Sequence, residues 1–446
     1  MIRHLGFVTH LLRRLPAVLR ERRWPRRIGD WPREVRQSFE AFARPARPWR
    51  VEAATSRPPR AGAARIVMVT HNLSPFEGAP LSLLAVARGL ADVGYDPLIL
   101  AMQDGPLRAS YEEAGMAVHI ADPTLGIGRA AAYPEHQARV ERLARWVVET
   151  KARLVLANTL RSFWGVTLAR AAAVPSVWCV RESVDWRTYF RDLPSPLAGE
   201  AVAALRAADR LIFVADATRR LFADLDDGHR VHTVHNGVDV AAIEAFKRAW
   251  PRSRARGAHG VDNDVRVVTV VGTTCERKGQ IDLLRAAVML TRERGRRLRV
   301  QLVGARPGPY LDGLRAFTRT EHLDDVVVFV DETAHVLEYY RMSDVFVCPS
   351  HEESFPRIVL EAMACELPIV STNVHGIPEA LTDGVNAVLV EPGDVAALAR
   401  GVARLLDDAA LAHRLSRNAY TTLTSRFTVE HMIKEYDRLL AGCFIR

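Results

Sequence analysis

The chain holds 446 residues, 48% hydrophobic and 25% charged, an ordinary globular composition long enough for two α/β domains. Its five cysteines are scattered and lack CxxC spacing, which excludes a disulfide frame or zinc site and fits a reducing, cytoplasmic setting. The net charge of +9 is local: residues 1–60 carry 15 Arg against 5 acids, a net of +10, and the remainder stands at −1.

Residues 1–61 read as a basic appendage. Leu5, Val8, Leu12, Leu15 and Leu19 recur at helical spacing around Arg13, Arg14 and Arg20, and Trp24, Trp31 and Trp49 follow in a Pro/Arg-rich stretch. Such an amphipathic segment suits an anionic membrane surface, which would make the protein peripheral at the inner face of a membrane. Packing of the apolar stripe on the body of the protein is the alternative. Nucleic acid is disfavoured, because no base-stacking module accompanies the charge. No apolar run reaches the ~18 residues of a spanning helix, and MIRHLGFVTHLLRR has too short an apolar core for a signal peptide.

A first domain is expected over 62–246. The strand RIVMVT leads through the loop HNLSPFEGAP into a helix over Leu81–Leu90, and Gly78 lets a ligand approach the backbone at this turn. Further strands are predicted at Pro97–Ala101, Val118–Ile120, Leu154–Ala157, Ser176–Val180, Arg210–Val214 and Val231–Val234, with helical pattern over Glu135–Thr150 and Ser162–Ala172. The alternation argues a doubly wound parallel sheet. His229, His232 and His235 suggest a metal cluster, but the odd spacing of His232 and His235 on a strand would point them to opposite faces. The polar stretch 247–264 reads as a linker.

A second doubly wound domain is expected over 265–425. Its first strand, Val265–Val271, runs into GTTCERKGQ, where Arg277, Lys278 and Gly279 stand before a helix beginning near Gln280. Paired cations at a helix N-terminus make a seat for a diphosphate. Later, SDVFVCPSHEESFPRIVLEAMACELP reads as a buried strand, a polar loop and a helix, placing Glu353 at the turn and Glu361 roughly 7.5 Å along the helix. Residues 426–446 carry a last helical pattern.

Together these motifs resemble the retaining glycosyltransferases of family four, whose hallmark is Glu, seven residues, Glu. The resemblance covers about residues 65–440 and implies a GT-B fold: two Rossmann-like domains facing across a cleft, the final helix crossing back to the first. It implies Lys278, Arg277 and Glu353 as catalytic groups, with Glu361 on the ribose of a nucleotide-sugar donor. Gly272, Thr273, Ser354, Phe355, Pro356 and Gly376 would complete the donor site. Here Thr273 replaces a family Arg, a loss that Arg277 is expected to make good, and Ser354–Pro356 replace Gly-Phe-Gly. On the first domain, Gly78, Arg181, Glu182 and Asn236 would line the acceptor side, with Arg181 where many members have His. The acceptor would be a glycan, a lipid-linked group or a small molecule. No cofactor is expected, and no DxD pair stands where a metal-dependent transferase needs one. Two alternatives are an isomerase resembling the sugar-nucleotide 2-epimerases and a non-catalytic nucleotide-sugar-binding subunit.

Overall fold

The computed structural model describes residues 62–124, 133–226, 228–294 and 297–444. The basic appendage, and the membrane reading attached to it, lie outside the described residues.

Seven strands form the first sheet: β1 (Ala64–Thr70), β2 (Tyr95–Ala101), β3 (Val118–Ile120), β4 (Leu154–Asn158), β5 (Ser176–Val180), β6 (Arg210–Phe213) and β7 (Val231–Thr233). All pairs are parallel, in the order β3-β2-β1-β4-β5-β6-β7. Six strands form the second: β8 (Arg266–Val271), β9 (Leu298–Ala305), β10 (Val327–Asp331), β11 (Val345–Cys348), β12 (Ile369–Thr372) and β13 (Val388–Val390). They too are parallel, in the order β10-β9-β8-β11-β12-β13. Helices cover both faces of each sheet, so the inner strands are buried on both sides and read as unbroken apolar runs. The expected α/β, doubly wound class is the one observed.

Each sheet reverses its strand order once, between β1 and β4 and between β8 and β11. Loops leaving such a pair diverge to opposite faces and open a crevice at the carboxyl ends of the strands. That rule singles out four loops before any side chain is considered.

The chain ends by returning to its first sheet. The helix Ala409–Arg426 packs Ala419 and Leu423 into the second sheet's core. Val238 then pairs with Thr428, and the helix Val429–Ala441 buries Met432, Ile433, Tyr436, Leu439 and Leu440 with Ile66, Leu83 and Leu90. Tyr95 Oη donates to Asp437 Oδ1 at 2.8 Å, across 342 positions of sequence.

The polar stretch 247–264 carries structure of its own, a helix over Arg252–Ala258. Its anchor is a buried guanidinium: Arg256 donates to the carbonyls of Met342, Asp262 and Val265. Polar composition concealed this helix because hydrogen bonds, rather than an apolar stripe, hold it in place.

Candidate active site

The crevice of the second sheet is built by two loops that touch. After β8 come Gly272 and a single 3-10 turn, Glu276–Lys278; Gly279 then takes φ +63° and starts the helix Gln280–Arg294. After β11 the chain runs to Pro356, which precedes the helix Arg357–Ala364. A Cβ on Gly279 would stand 2.0 Å from Pro349 O, so both the backbone angle and the close approach demand glycine. His351 reinforces the join, its amide donating to Arg277 O at 2.7 Å and its Nε2 lying 2.5 Å from Asp282 Oδ2.

With the loops pinned, Lys278 Nζ forms an ion pair with Glu353 Oε1, which also accepts from Ser350 Oγ at 2.9 Å. Both side chains are largely buried, and the lysine stem lies over Gly272. Arg277 is half exposed, with Nη1 4.0 Å from Glu353 Oε2. Thr273 Oγ1 donates to Glu332 Oε1 at 2.8 Å, and Arg306 binds the same carboxylate, also at 2.8 Å. Arg306, at the end of β9, thus stands in space beside the position where the family's Arg is missing. Sequence reading missed it because nothing local marks it.

Glu361, the fifth residue of its helix, accepts from Tyr340 Oη at 3.2 Å and lies 3.6 Å from Arg357. Burial pushes its carboxyl above the ordinary range, against the opposing pull of Arg357 and Tyr340. Ser354, Phe355 and Gly376 form the joint between the sheets. Ser354 Oγ lies 3.0 Å from Thr218 Oγ1, and the Phe355 ring is buried against His235 and Phe427. A Cβ on Gly376 would collide with Ser354 O at 1.8 Å. Pro356 stays partly exposed.

On the first sheet, Asn236 Nδ2 donates to Phe355 O at 2.8 Å, and its Oδ1 accepts from Arg181 Nη1 at 2.8 Å. Arg181 also binds Asn158 Oδ1 and reaches Tyr436 Oη at 3.5 Å. Its fork is therefore taken up by the protein. Glu182 accepts from the amides of Leu160 and Arg181 at 2.9 and 3.0 Å, and burial pushes its carboxyl up. Gly78 is exposed, with open space where a Cβ would be. β7 ends at Thr233, so His235 lies beyond the strand and pairs with Glu379 instead of facing away from His232 on it. Among the described residues, no three His, Cys, Asp or Glu side chains converge as a metal site. A hollow of about 410 Å³ lined by Tyr133, Thr167, Arg170 and Glu200 is touched by none of the candidate residues.

Two family descriptions match this chain: glycosyl transferases group 1 over residues 251–422 and glycosyltransferase family 4 over residues 76–242. The chain belongs to the family 4 glycosyltransferases. Among its curated relatives in that family is the D-inositol 3-phosphate glycosyltransferase of Kineococcus radiotolerans, 36% identical over 240 residues, or 49% of this chain and 54% of that one. The chain spans about half the length of the curated relatives it matches. Among solved structures, HepE of Anabaena in complex with UDP-glucose is similar with a TM-score of 0.71 and 21% identity, over 85% of this chain and 99% of that one. Sucrose-phosphate synthase from Thermosynechococcus elongatus is similar with a TM-score of 0.73 and 20% identity, over 86% and 99%. At such identities the likeness is one of fold, and the fold is GT-B.

Proposed function

We propose that this family 4 chain is a retaining glycosyltransferase moving a sugar from a UDP- or GDP-linked donor to a hydroxyl of a glycan, a lipid-linked group or a small molecule. The observation that carries it is the Lys278–Glu353 pair at the crevice of the second sheet, where a cation, a carboxylate and a helix N-terminus converge. HepE, of the same fold, is bound to UDP-glucose in its structure.

In this reading the diphosphate lies against Lys278, Arg277 and the amides that open the helix Gln280–Arg294. Glu361 takes the ribose hydroxyls and Glu353 the sugar. As the bond from the sugar's anomeric carbon to the β-phosphate oxygen breaks, its electron pair goes to that oxygen, and Lys278 stabilises the growing charge. Retention without a covalent intermediate brings the acceptor hydroxyl in on the leaving group's face. The departing phosphate oxygen is then the nearest base for the acceptor's proton. Closure of the cleft keeps out water that would hydrolyse the donor.

Residues 1–60 would add a peripheral membrane contact; among the described residues no helix is long and apolar enough to cross a membrane. A thermal-shift screen with UDP, GDP, ADP and their sugars tests the donor class, since a ligand at ~100 times its Kd adds about 2.7 kcal/mol. The matching sugar nucleotide should then yield free nucleoside diphosphate and a lengthened acceptor. Interconversion of sugar nucleotides with no acceptor product, or binding with no turnover, overturns the reading.

A further inference from the structure

The first sheet has its own switch point, and a linked group of side chains flanks it. His71 and Glu77 lie on the loop after β1, and Thr159 directly follows β4. His71 Nε2 is 3.1 Å from Glu77 Oε2, which also accepts from Asn72 Nδ2 at 3.1 Å; His71 Nδ1 is 3.3 Å from Thr159 Oγ1. A carboxylate only accepts, so His71 Nε2 must be the donor; in the neutral ring Nδ1 then accepts from the Thr159 hydroxyl. The relay runs from Thr159 through His71 to Glu77.

The protein maintains this arrangement against strain. Thr159 has φ +76° and ψ 156°, a region that a β-branched residue occupies only when its surroundings force it. Trp178 Nε1 donates to its carbonyl at 2.8 Å, and its amide donates to Cys179 O at 2.8 Å. Half-buried Glu182 holds the next amide, Leu160 N, at 2.9 Å. That gives Glu182 a task in this crevice: it locks the turn that aims the Thr159 hydroxyl at His71.

Glu77 is the outlet of the relay. Its Oε1 carries no hydrogen bond among the described residues, its side chain is 36% exposed, and it makes no capping bond to the helix it precedes. The His71 hydrogen bond holds its carboxyl below the ordinary range against burial, and Arg306 of the second sheet adds to the effect. An ionised, partly exposed oxygen on a loop at this switch point repels phosphates and carboxylates and accepts from hydroxyls.

We infer that Glu77, positioned by His71 and Thr159, receives a hydroxyl from the uncharged face of a sugar or cyclitol acceptor. The inference rests on the transfer reading above. To test it, the full chain is given UDP-glucose or GDP-mannose with myo-inositol or glucose as the acceptor probe, and nucleotide release is followed against probe concentration. Glu77→Gln should raise the probe's KM at least tenfold with a much smaller change in kcat, while UDP or GDP binding, read separately by thermal shift, is kept. His71→Leu should do the same and His71→Gln, which can still donate to Glu77, should do less; a merely structural role would not rank them so. Thr159→Val, which keeps shape and loses only the hydroxyl, should raise KM in the same direction. Unchanged probe KM in Glu77→Gln and Thr159→Val overturns the inference and leaves the transfer reading intact. A wild-type chain that neither binds nor releases either nucleotide fells both.

Discussion

His235 Nε2 lies 2.7 Å from Glu379 Oε2, joining the end of the first sheet to a turn after β12. The same carboxylate accepts from the amides of Asp216 and Ala217 at 2.9 and 2.8 Å, so a residue of the second sheet closes the N-terminus of a helix of the first. Burial alone would raise this carboxyl, but the His235 and amide hydrogen bonds win and hold it below its ordinary value near 4.5.

That depression has a stability signature. The folded state binds fewer protons than the unfolded one, so the contribution is complete above about pH 4.5 and is lost as pH falls through the lowered folded value. Glu379→Gln should cost ~1–3 kcal/mol at pH 7. Urea midpoints of wild type and variant should converge below pH 4.5; a gap that persists undiminished to pH 3 contradicts the assignment.

Lys278→Ala is expected to lower kcat by ~10²–10³ and nucleotide affinity by much less, because the charge it meets grows as the glycosidic bond breaks. Lys278→Gln keeps a donor for the buried Glu353 and so separates lost charge from lost fold. Arg277→Ala should be milder, given its exposure and 4.0 Å separation from Glu353. Because Lys278 and Arg277, rather than a metal ion, meet the diphosphate in this mechanism, activity should survive EDTA. Strict manganese dependence, or an unimpaired Lys278→Ala enzyme, would sink the mechanism.

Glu361 should trade stability against binding. Its raised carboxyl means that the folded state binds more protons than the unfolded one, so ionisation costs stability as pH rises above the ordinary glutamate range. Glu361→Gln should therefore raise the melting temperature at pH 8 and weaken binding of free nucleoside diphosphate, if the carboxylate holds ribose. Calorimetry on the two proteins reads both effects. A variant that loses stability and keeps affinity would show that the carboxylate serves the fold.

Deleting residues 1–60 should abolish sedimentation with anionic liposomes and spare nucleotide binding. High salt should weaken sedimentation of the intact chain, since exposed charges are screened beyond ~8 Å at physiological ionic strength. Equal sedimentation of the truncated chain would end the membrane proposal.

The alternating pattern by itself determined the two parallel sheets. Strands buried on both faces leave contiguous apolar runs, and β5 (Ser176–Val180) was legible to the residue. The places of Lys278, Glu353 and Glu361 in the fold were legible because each lies at or just after a strand-to-helix turn that the local sequence marks. Other relationships needed the folded chain. Arg181 meets Asn236 across 55 positions and Tyr436 across 255; His71 meets Thr159 across 88, and Glu379 caps a helix 162 positions away. A hydrogen bond between distant residues leaves no periodicity, composition bias or turn signature in either segment. Only the order of the strands, which brings β1 beside β4 and β8 beside β11, decides which polar groups share a crevice.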